Sequence, residues 1–187
     1  MPRGIVTILR RLAALALCVA VVTPAALSAK SHDDRLRTLD QRIEELLREG
    51  IVRSETFRAL VQRLTGGNVV VYLRHEALPE GVHGRLSFLT STAGTRYVLV
   101  ALTPDLDTVR SIVVLGHELR HAVEVLDQPE IVDERTFVLA YEQATYRRRQ
   151  FADGRMGFDT VAAVHAGLDV WKDLSLSPIE AAVTGTR

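Results

Sequence analysis

Two histidines and a glutamate in the second half of the chain have the types and the spacing of a metal site that carries out chemistry. They form the segment His117-Glu118-Leu119-Arg120-His121. Histidines four residues apart lie on the same side of a helix, where both imidazoles can bind one Zn²⁺ ion. Glu118, one residue after the first histidine, can take a proton from a water on that metal. The segment therefore predicts metal-assisted hydrolysis, with His117 and His121 as ligands and Glu118 as the general base.

The surrounding residues favour a helix over residues 108–126 that is buried on one face. At about 100° per residue its apolar side chains form one stripe, and the two histidines lie on the opposite face together with Glu124. Glu124 is seven residues beyond His117, about 10 Å along the axis, so it is too far away to share a metal with both histidines. We expect Glu124 to orient a histidine or to pair with a base. The stripe consists of Ile112, Leu115, Leu119, Ala122 and Leu126.

A third metal ligand must come from another part of the chain, and an acidic residue is expected. Asp159 is the preferred candidate, because it opens a predicted helix, residues 159–174, whose first residues are small enough to lie close to the histidine helix. The competing interpretation is that Asp159 only caps that helix. Glu134 and Glu142 are the remaining alternatives for the ligand, although Glu142 lies off the apolar stripe of its own predicted helix.

Three other side chains have the right types for a site and need separate interpretation. His165 falls among apolar residues on its helix, which predicts a buried core histidine rather than a ligand. Tyr141 and Tyr146 have hydroxyls of the kind that stabilise an oxyanion. For Tyr141 we favour packing on the apolar stripe of its helix.

The segment of residues 115–122, LGHELRHA, resembles the active-site helix of the zincin metallopeptidases, and especially that of the gluzincins. In gluzincins an acidic residue on a later helix is the third zinc ligand, and alanines follow it, as they do after Asp159. The resemblance implies a Zn²⁺ site of His117, His121 and Asp159, with Glu118 as the catalytic base. Asp stands where those enzymes usually have Glu. The chain departs from the metzincin pattern, because it has Glu124 and Asp127 where those enzymes have a glycine and a third histidine.

The first 29 residues have the pattern of a signal peptide. Arginines precede an apolar run of about eleven residues, 12–22, and small residues fill the cleavage zone at 24–29. We predict cleavage after Ala29 and export to the periplasm or beyond, without stable membrane insertion afterwards. An uncleaved anchor is the alternative, but the run is shorter than the about 18–20 residues that span a bilayer. The only cysteine, Cys18, lies in this segment, so the metal ligands must be nitrogen and oxygen atoms.

Residues 30–187 are expected to form a single α+β domain. Helical patterns cover residues 35–49, 54–65, 133–150 and 159–174 besides the histidine helix, and strand patterns cover 69–73, 85–89 and 96–102. We predict a small, mainly antiparallel sheet of about three strands, packed with the histidine helix and flanking helices. Strand 96–102 is expected at the sheet edge beside the cleft, where an extended peptide adds as a further strand.

Composition limits the partners and the functions. The 187 residues have a formal net charge of zero, which argues against nucleic acid and other partners selected by bulk charge. The expected function is a zinc-dependent metallopeptidase that acts on a peptide or protein substrate. The alternatives are a non-catalytic exported zinc-binding module, a vestigial metallohydrolase, and an enzyme that applies the same chemistry to a different amide or ester bond.

Overall fold

The computed structural model describes residues 35–144, 147–150 and 156–176. The predicted signal peptide, residues 1–29, and Tyr146 lie outside these ranges. The described residues form an α+β fold, which confirms the predicted class, and they belong to one compact unit. Within these ranges no helix combines the length and the apolar character needed to cross a membrane.

The main sheet is mixed and has four strands. They are β1 (Leu36–Arg37), β2 (Val69–His75), β3 (Gly84–Thr92) and β4 (Thr95–Leu102), in the order β1-β2-β4-β3. β2 pairs in parallel with both β1 and β4, and only β3 and β4 are antiparallel. A two-residue turn joins β3 to β4 through Ala93 and Gly94, which have φ angles of 47° and 77°. Such a turn matches the twist of the strands that it connects.

This sheet corrects two expectations. It is not mainly antiparallel, because the chain leaves β2, places β3 at the far edge and returns with β4 between them. Strand 96–102 is therefore β4, an interior strand, and the edge strand is β3. Alternation of apolar residues shows that a strand forms, but it does not show which strand lies beside it.

The described part of the chain also contains five helices. They are α1 (Gln41–Arg53), α2 (Glu55–Thr65), α3 (Thr108–Asp127), α4 (Glu134–Ala144) and α5 (Val161–Leu176). Between α4 and α5 an antiparallel pair of short strands, β5 (Arg147–Gln150) and β6 (Met156–Asp159), forms a second sheet. The helix predicted over 108–126 is confirmed as α3.

Four predicted helix boundaries are wrong. The helix predicted from residue 35 begins only at Gln41, after the N-cap Asp40, and it continues past Gly50. Gly50 is needed for close packing, because a Cβ there would lie 2.9 Å from the ring of Phe57. The helix predicted over 133–150 ends at Ala144, and the following arginines belong to β5. Asp159 ends β6, and the N-terminus of α5 is capped by Thr160.

The core lies between the sheet and helices α1, α2 and α3. On α3, Ile112, Leu115, Leu119 and Ala122 are fully buried, as the predicted stripe requires, and Leu126 is half-buried. Burial of each leucine or isoleucine side chain in this stripe contributes about 1.5–3 kcal/mol to the stability of the fold. The stripe fixes which way α3 is rotated, so its other face, with the histidines, points away from the sheet's centre.

A buried arginine at the start of β4 holds the C-terminal end of α3. The guanidinium of Arg96 donates hydrogen bonds to the backbone oxygens of Val125, Leu126 and Gln128, the last at 2.7 Å. α3 has no basic residue in its own last turn. A positive charge at this end is favourable because it satisfies free carbonyl groups and opposes the helix dipole.

The far end of α5 is fastened to the junction between α1 and α2. The buried Ser54 caps α2 by accepting from the Phe57 N–H, and its hydroxyl donates to Asp173 Oδ2 at 2.7 Å. The Thr56 N–H donates to the same oxygen at 2.9 Å. Burial alone would raise the pKa of Asp173, but these hydrogen bonds outweigh it and hold the pKa below its ordinary value of 3.8.

The Asp173 contact predicts a pH-dependent stability. Because the folded-state pKa is the lower one, the carboxylate contributes stability above the unfolded pKa, and this is lost as the pH falls through the folded pKa. We expect Asp173→Asn to lower the free energy of unfolding by about 1–2 kcal/mol at pH 7, and we expect the difference to shrink as the pH falls below 3.8 through the folded-state pKa. Urea unfolding at several pH values measures this.

The matched control is Asp169→Asn, on the same helix and more exposed, which should change stability by less than about 0.5 kcal/mol. A wild-type advantage over Asp173→Asn that stayed constant between pH 7 and about pH 3 would contradict the assigned role of the carboxylate.

Candidate metal centre

The two histidines of α3 stand side by side at the wall of a cleft. Their ring centroids are 4.9 Å apart, with an interplanar angle of 81°. The His121 side chain is buried, and that of His117 is partly exposed to the cleft. One helical turn between them produces this arrangement, as the i, i+4 spacing predicts.

Asp159, at the end of β6, meets this pair. Its Oδ1 lies 3.3 Å from His117 Nε2, and one ligand atom from each of His117, His121 and Asp159 lies within 4.8 Å of the other two. Burial alone would lower the pKa of His117, but the hydrogen bond with Asp159 and the neighbouring Glu118 carboxylate raise it. The three residues chosen from the sequence are thus brought together by the fold.

This group has the donor atoms of a metal site, and one of its ligand pairs has the separation that zinc requires. Two ligands that are each about 2.0–2.1 Å from a tetrahedral zinc lie about 3.3–3.4 Å from one another. The His117–Asp159 separation of 3.3 Å already has this value. Two imidazole nitrogens and one carboxylate oxygen make up the donor set, and three ligands leave a fourth position for water. The same donor set also suits Fe²⁺, so the ligands by themselves do not select the metal.

Glu124 supports the site from behind, as its position on the helix predicts. One carboxylate oxygen, Oε2, lies 2.9 Å from His121 Nδ1, which leaves Nε2 of that ring for the metal. Its other oxygen accepts a hydrogen bond from the Thr160 hydroxyl at 2.6 Å. Burial alone would raise the pKa of Glu124, and the hydrogen bonds from His121 and Thr160 lower it. A metal-binding histidine commonly donates its second N–H to a carboxylate in this way.

Thr160 is the residue that the sequence interpretation missed. Its hydroxyl accepts from the Ala163 N–H at 3.1 Å, so it caps α5, and the same hydroxyl donates to Glu124. Threonine just before a helix is a recognised capping signal. That signal was present beside Asp159, and it assigns the capping role to Thr160 and leaves the Asp159 carboxylate available for the metal.

Close packing between α3 and α5 brings these residues together. A Cβ at Gly116 would lie 2.8 Å from Val170 Cγ2, so only glycine allows the helices this approach. Opposite it, a Cβ at Gly167 would lie 3.5 Å from His117 Cβ. The role of Gly116 is therefore close packing of α3 against α5.

Glu118 is buried against the edge strand β3. Burial raises the pKa of Glu118, and the nearby His121 and His117 lower it in part, as does a hydrogen bond from the Leu86 backbone. A Cβ at Gly84 would lie 2.6 Å from Glu118 Oε1. The carboxylate therefore occupies a space that a side chain at position 84 would fill.

The group of His117, His121 and Asp159 opens into a cleft of about 1340 Å³. Residues 84–88 of β3 line one part of it, and residues of α5 line another. Apolar side chains from α4 and β6 also line the cleft: Phe137, Val138, Tyr141 and Phe158. A large and mostly apolar cleft with a few convergent polar groups is typical of a ligand-binding or active site.

The other predicted candidates lie elsewhere. Glu142 is exposed on α4, and Glu134 is exposed at the rim of the cleft. Neither belongs to the group formed by His117, His121 and Asp159. His165 is exposed on α5, which corrects its prediction as a core histidine. Its apolar neighbours on α5 are themselves partly exposed, because that face lines the cleft instead of the core.

Tyr141 packs in the site without pointing a free hydroxyl at the metal. Its hydroxyl donates to the backbone oxygen of His121 at 3.1 Å, and its ring centroid lies 5.5 Å from that of His121. Burial, together with the nearby Glu124, raises the pKa of Tyr141 well above its ordinary value. The tyrosine therefore supports the histidine helix, in agreement with the packing interpretation.

The chain matches no protein-family model, no curated protein and no solved structure at a significant level. The resemblance to gluzincins accordingly depends on residues 115–122 and on the acid at position 159. The geometry described above is independent of that resemblance.

The third-ligand assignment is tested by three alanine variants. Asp159→Ala should weaken Zn²⁺ binding by at least about 100-fold, because it removes one of three protein ligands. Glu134→Ala and Glu142→Ala are the matched controls, and their affinity should stay within about threefold of the wild type. Isothermal titration with a competing chelator measures all four affinities.

Wild-type affinity in Asp159→Ala, or a large loss in either control, would transfer the ligand role to another acid. Circular dichroism on each variant separates lost binding from lost folding.

Proposed function

We propose that this protein is a zinc-dependent metallopeptidase that hydrolyses peptide bonds. His117, His121 and Asp159 hold the metal, and Glu118 is the general base. The observation that carries this proposal is that the three ligand atoms meet within 4.8 Å of one another at a cleft wall, with the buried Glu118 carboxylate beside them. Metal ligands alone are common in structural sites, but a buried acid at an open cleft is suited to catalysis.

Glu118 accounts for the proton transfer in this mechanism. Held by His117, His121 and Asp159, zinc would supply a Lewis acid that lowers the pKa of water at the site to about 7. Burial raises the pKa of the Glu118 carboxylate and so makes it a better proton acceptor than an exposed glutamate. It takes a proton from the attacking water and then delivers it to the leaving nitrogen as the peptide C–N bond breaks. Water, carbonyl and amine therefore balance without another co-reactant.

The edge strand β3 suits an extended substrate. Its hydrogen-bonding side toward β4 is occupied, whereas its other side faces the cleft. The hydrogen bond from the Leu86 backbone to Glu118 shows that backbone groups of β3 point toward the catalytic carboxylate. A peptide that adds to this edge as an antiparallel or parallel strand gains backbone hydrogen bonds irrespective of its sequence. The role expected of strand 96–102 is thus assigned to β3.

Export is part of the proposal. The pattern of residues 1–29 supports a signal peptide, and an exported peptidase acts on peptides or proteins in the periplasm or outside the cell. The zinc-binding module without catalysis is the competing proposal. A closed structural zinc site requires four protein ligands, whereas the group described here has three and borders a cleft.

Glu118→Gln tests the mechanism most directly. The amide cannot accept the proton, so we expect hydrolysis to fall by about 10²–10⁴-fold. Zinc affinity should stay within about threefold, because Glu118 is not a ligand. Metal analysis and a fluorogenic peptide assay give the two values, and a variant that cleaves as fast as the wild type would eliminate the assigned base.

Gly84→Ala tests whether the Glu118 carboxylate needs the space beside position 84. The added Cβ would overlap Glu118 Oε1 and Val114 Cγ1, at 2.6 and 2.5 Å, so we expect kcat to fall at least about tenfold while zinc binding is retained. The matched control is Gly66→Ala, where a Cβ meets nothing within 4 Å. Equal kcat in the two variants would show that Glu118 does not depend on the space at position 84.

A further inference from the structure

α5 carries a second apolar face that the core does not cover. Val164, Leu168 and Trp171 follow one another at intervals of four and three residues, so they lie on one side of the helix. All three line the cleft, and Leu168 and Trp171 are 51% and 54% exposed. An adjacent side of α5 is already used for packing against the core, through Ala163, Ala166, Gly167, Val170 and Leu174.

An apolar face of this size is costly to leave in water. Exposed apolar surface that is contiguous and borders a cleft usually marks a binding site, whereas single exposed apolar residues need no explanation. Tryptophan is the residue type most enriched among side chains that dominate binding energy. Trp171 is also the only tryptophan in the chain.

The face begins beside the metal ligands. Gly167 packs against His117, and Trp171 follows it by one helical turn, about 6 Å along the helix axis. An extended peptide advances about 3.3 Å per residue. A substrate side chain that contacts Trp171 therefore belongs to a residue within about two positions of the bond at the metal.

The charges around the cleft disfavour an acidic occupant. The carboxylates on its lining are Glu118, Asp159 and the exposed Glu134. Its basic side chain, Arg85, is engaged in an ion pair with Glu76 at 3.0 Å. The wall contributed by α4 and β6 is apolar and aromatic, and an acidic substrate side chain would meet no available positive charge among these lining residues.

We propose that Val164, Leu168 and Trp171 form the subsite that selects the substrate. Its occupant is the bulky apolar side chain, aliphatic or aromatic, of an extended peptide whose backbone lies along β3. The inference depends on the proposed peptidase function for its cleavage readout, but side-chain recognition by this face can be measured by binding alone.

The cleavage experiment uses a peptide series that differs at one position near the scissile bond, with Leu, Phe, Ala, Lys or Glu. Wild type should cleave the Leu and Phe peptides with a kcat/KM at least about tenfold above that for the Ala peptide. The kcat/KM values for the Lys and Glu peptides should be lower still. Trp171→Ala should reduce kcat/KM about tenfold for Leu and Phe and less than about threefold for Ala. The control Leu139→Ala removes a comparably exposed side chain on α4 outside the cleft and should change neither.

The binding experiment uses Trp171 itself as the probe, in the Glu118→Gln variant loaded with zinc. Addition of the Leu peptide should shift the Trp171 emission to shorter wavelength and reduce its quenching by acrylamide, and both changes should saturate as the peptide concentration rises. The Glu peptide should cause neither change. Leu168→Ala in the same background should weaken binding of the Leu peptide about tenfold.

The outcomes separate the two proposals. Cleavage that ignores the side chain would overturn the subsite and leave the peptidase standing. Absence of cleavage for every peptide would overturn the peptidase, and the fluorescence result would then support or overturn the subsite alone. Protection of Trp171 from acrylamide in the free protein would overturn the subsite, because another part of the chain would then cover this face.

Discussion

The site depends on the distance between α3 and α5. Gly116 removes a side chain that would collide with Val170 and hold these helices apart, and at Gly167 a Cβ would make an ordinary contact with His117. Because β6 leads directly into α5, the same contact decides where Asp159 and Thr160 lie. Interiors pack too densely for one helix to move without shifting its neighbour. A larger side chain at this contact would therefore withdraw the carboxylate from the histidines.

α3 is constrained on its other sides as well. Arg96 holds its C-terminal carbonyls from within the sheet, and its apolar stripe packs into the core. Glu118 is then pressed against β3 at Gly84, where burial raises its pKa at some cost to the stability of the fold. Such support from several elements holds the side chains of His117, His121, Asp159 and Glu118 in place. Buried acids with a raised pKa at the wall of a cleft are enriched at functional sites.

Predictions from local sequence patterns succeeded where predictions that depend on pairing between distant segments failed. The periodicity of residues 108–126 predicted α3 nearly to its ends, because every contact that defines a helix lies within four residues. Strand order failed, since the β2–β4 pairing joins segments separated by the whole of β3. The helix predicted through residue 150 failed because β6 pairs with the arginine segment and turns it into β5. Tertiary pairing commonly overrides propensity in this way.

The sequence by itself determined the α+β class and the histidine helix with its buried and polar faces. It also placed Glu118 beside two histidines that have the spacing of metal ligands. These follow from spacing along one helix and from the residue types present. It left the third ligand open among Asp159, Glu134 and Glu142. The tertiary structure decided that Asp159 meets His117, that Thr160 is the cap, and that β3 is the edge beside the cleft. These features are distances between segments that are far apart in the chain. They are set by the close packing of α3 against α5 at Gly116 and by the order of the strands in the sheet.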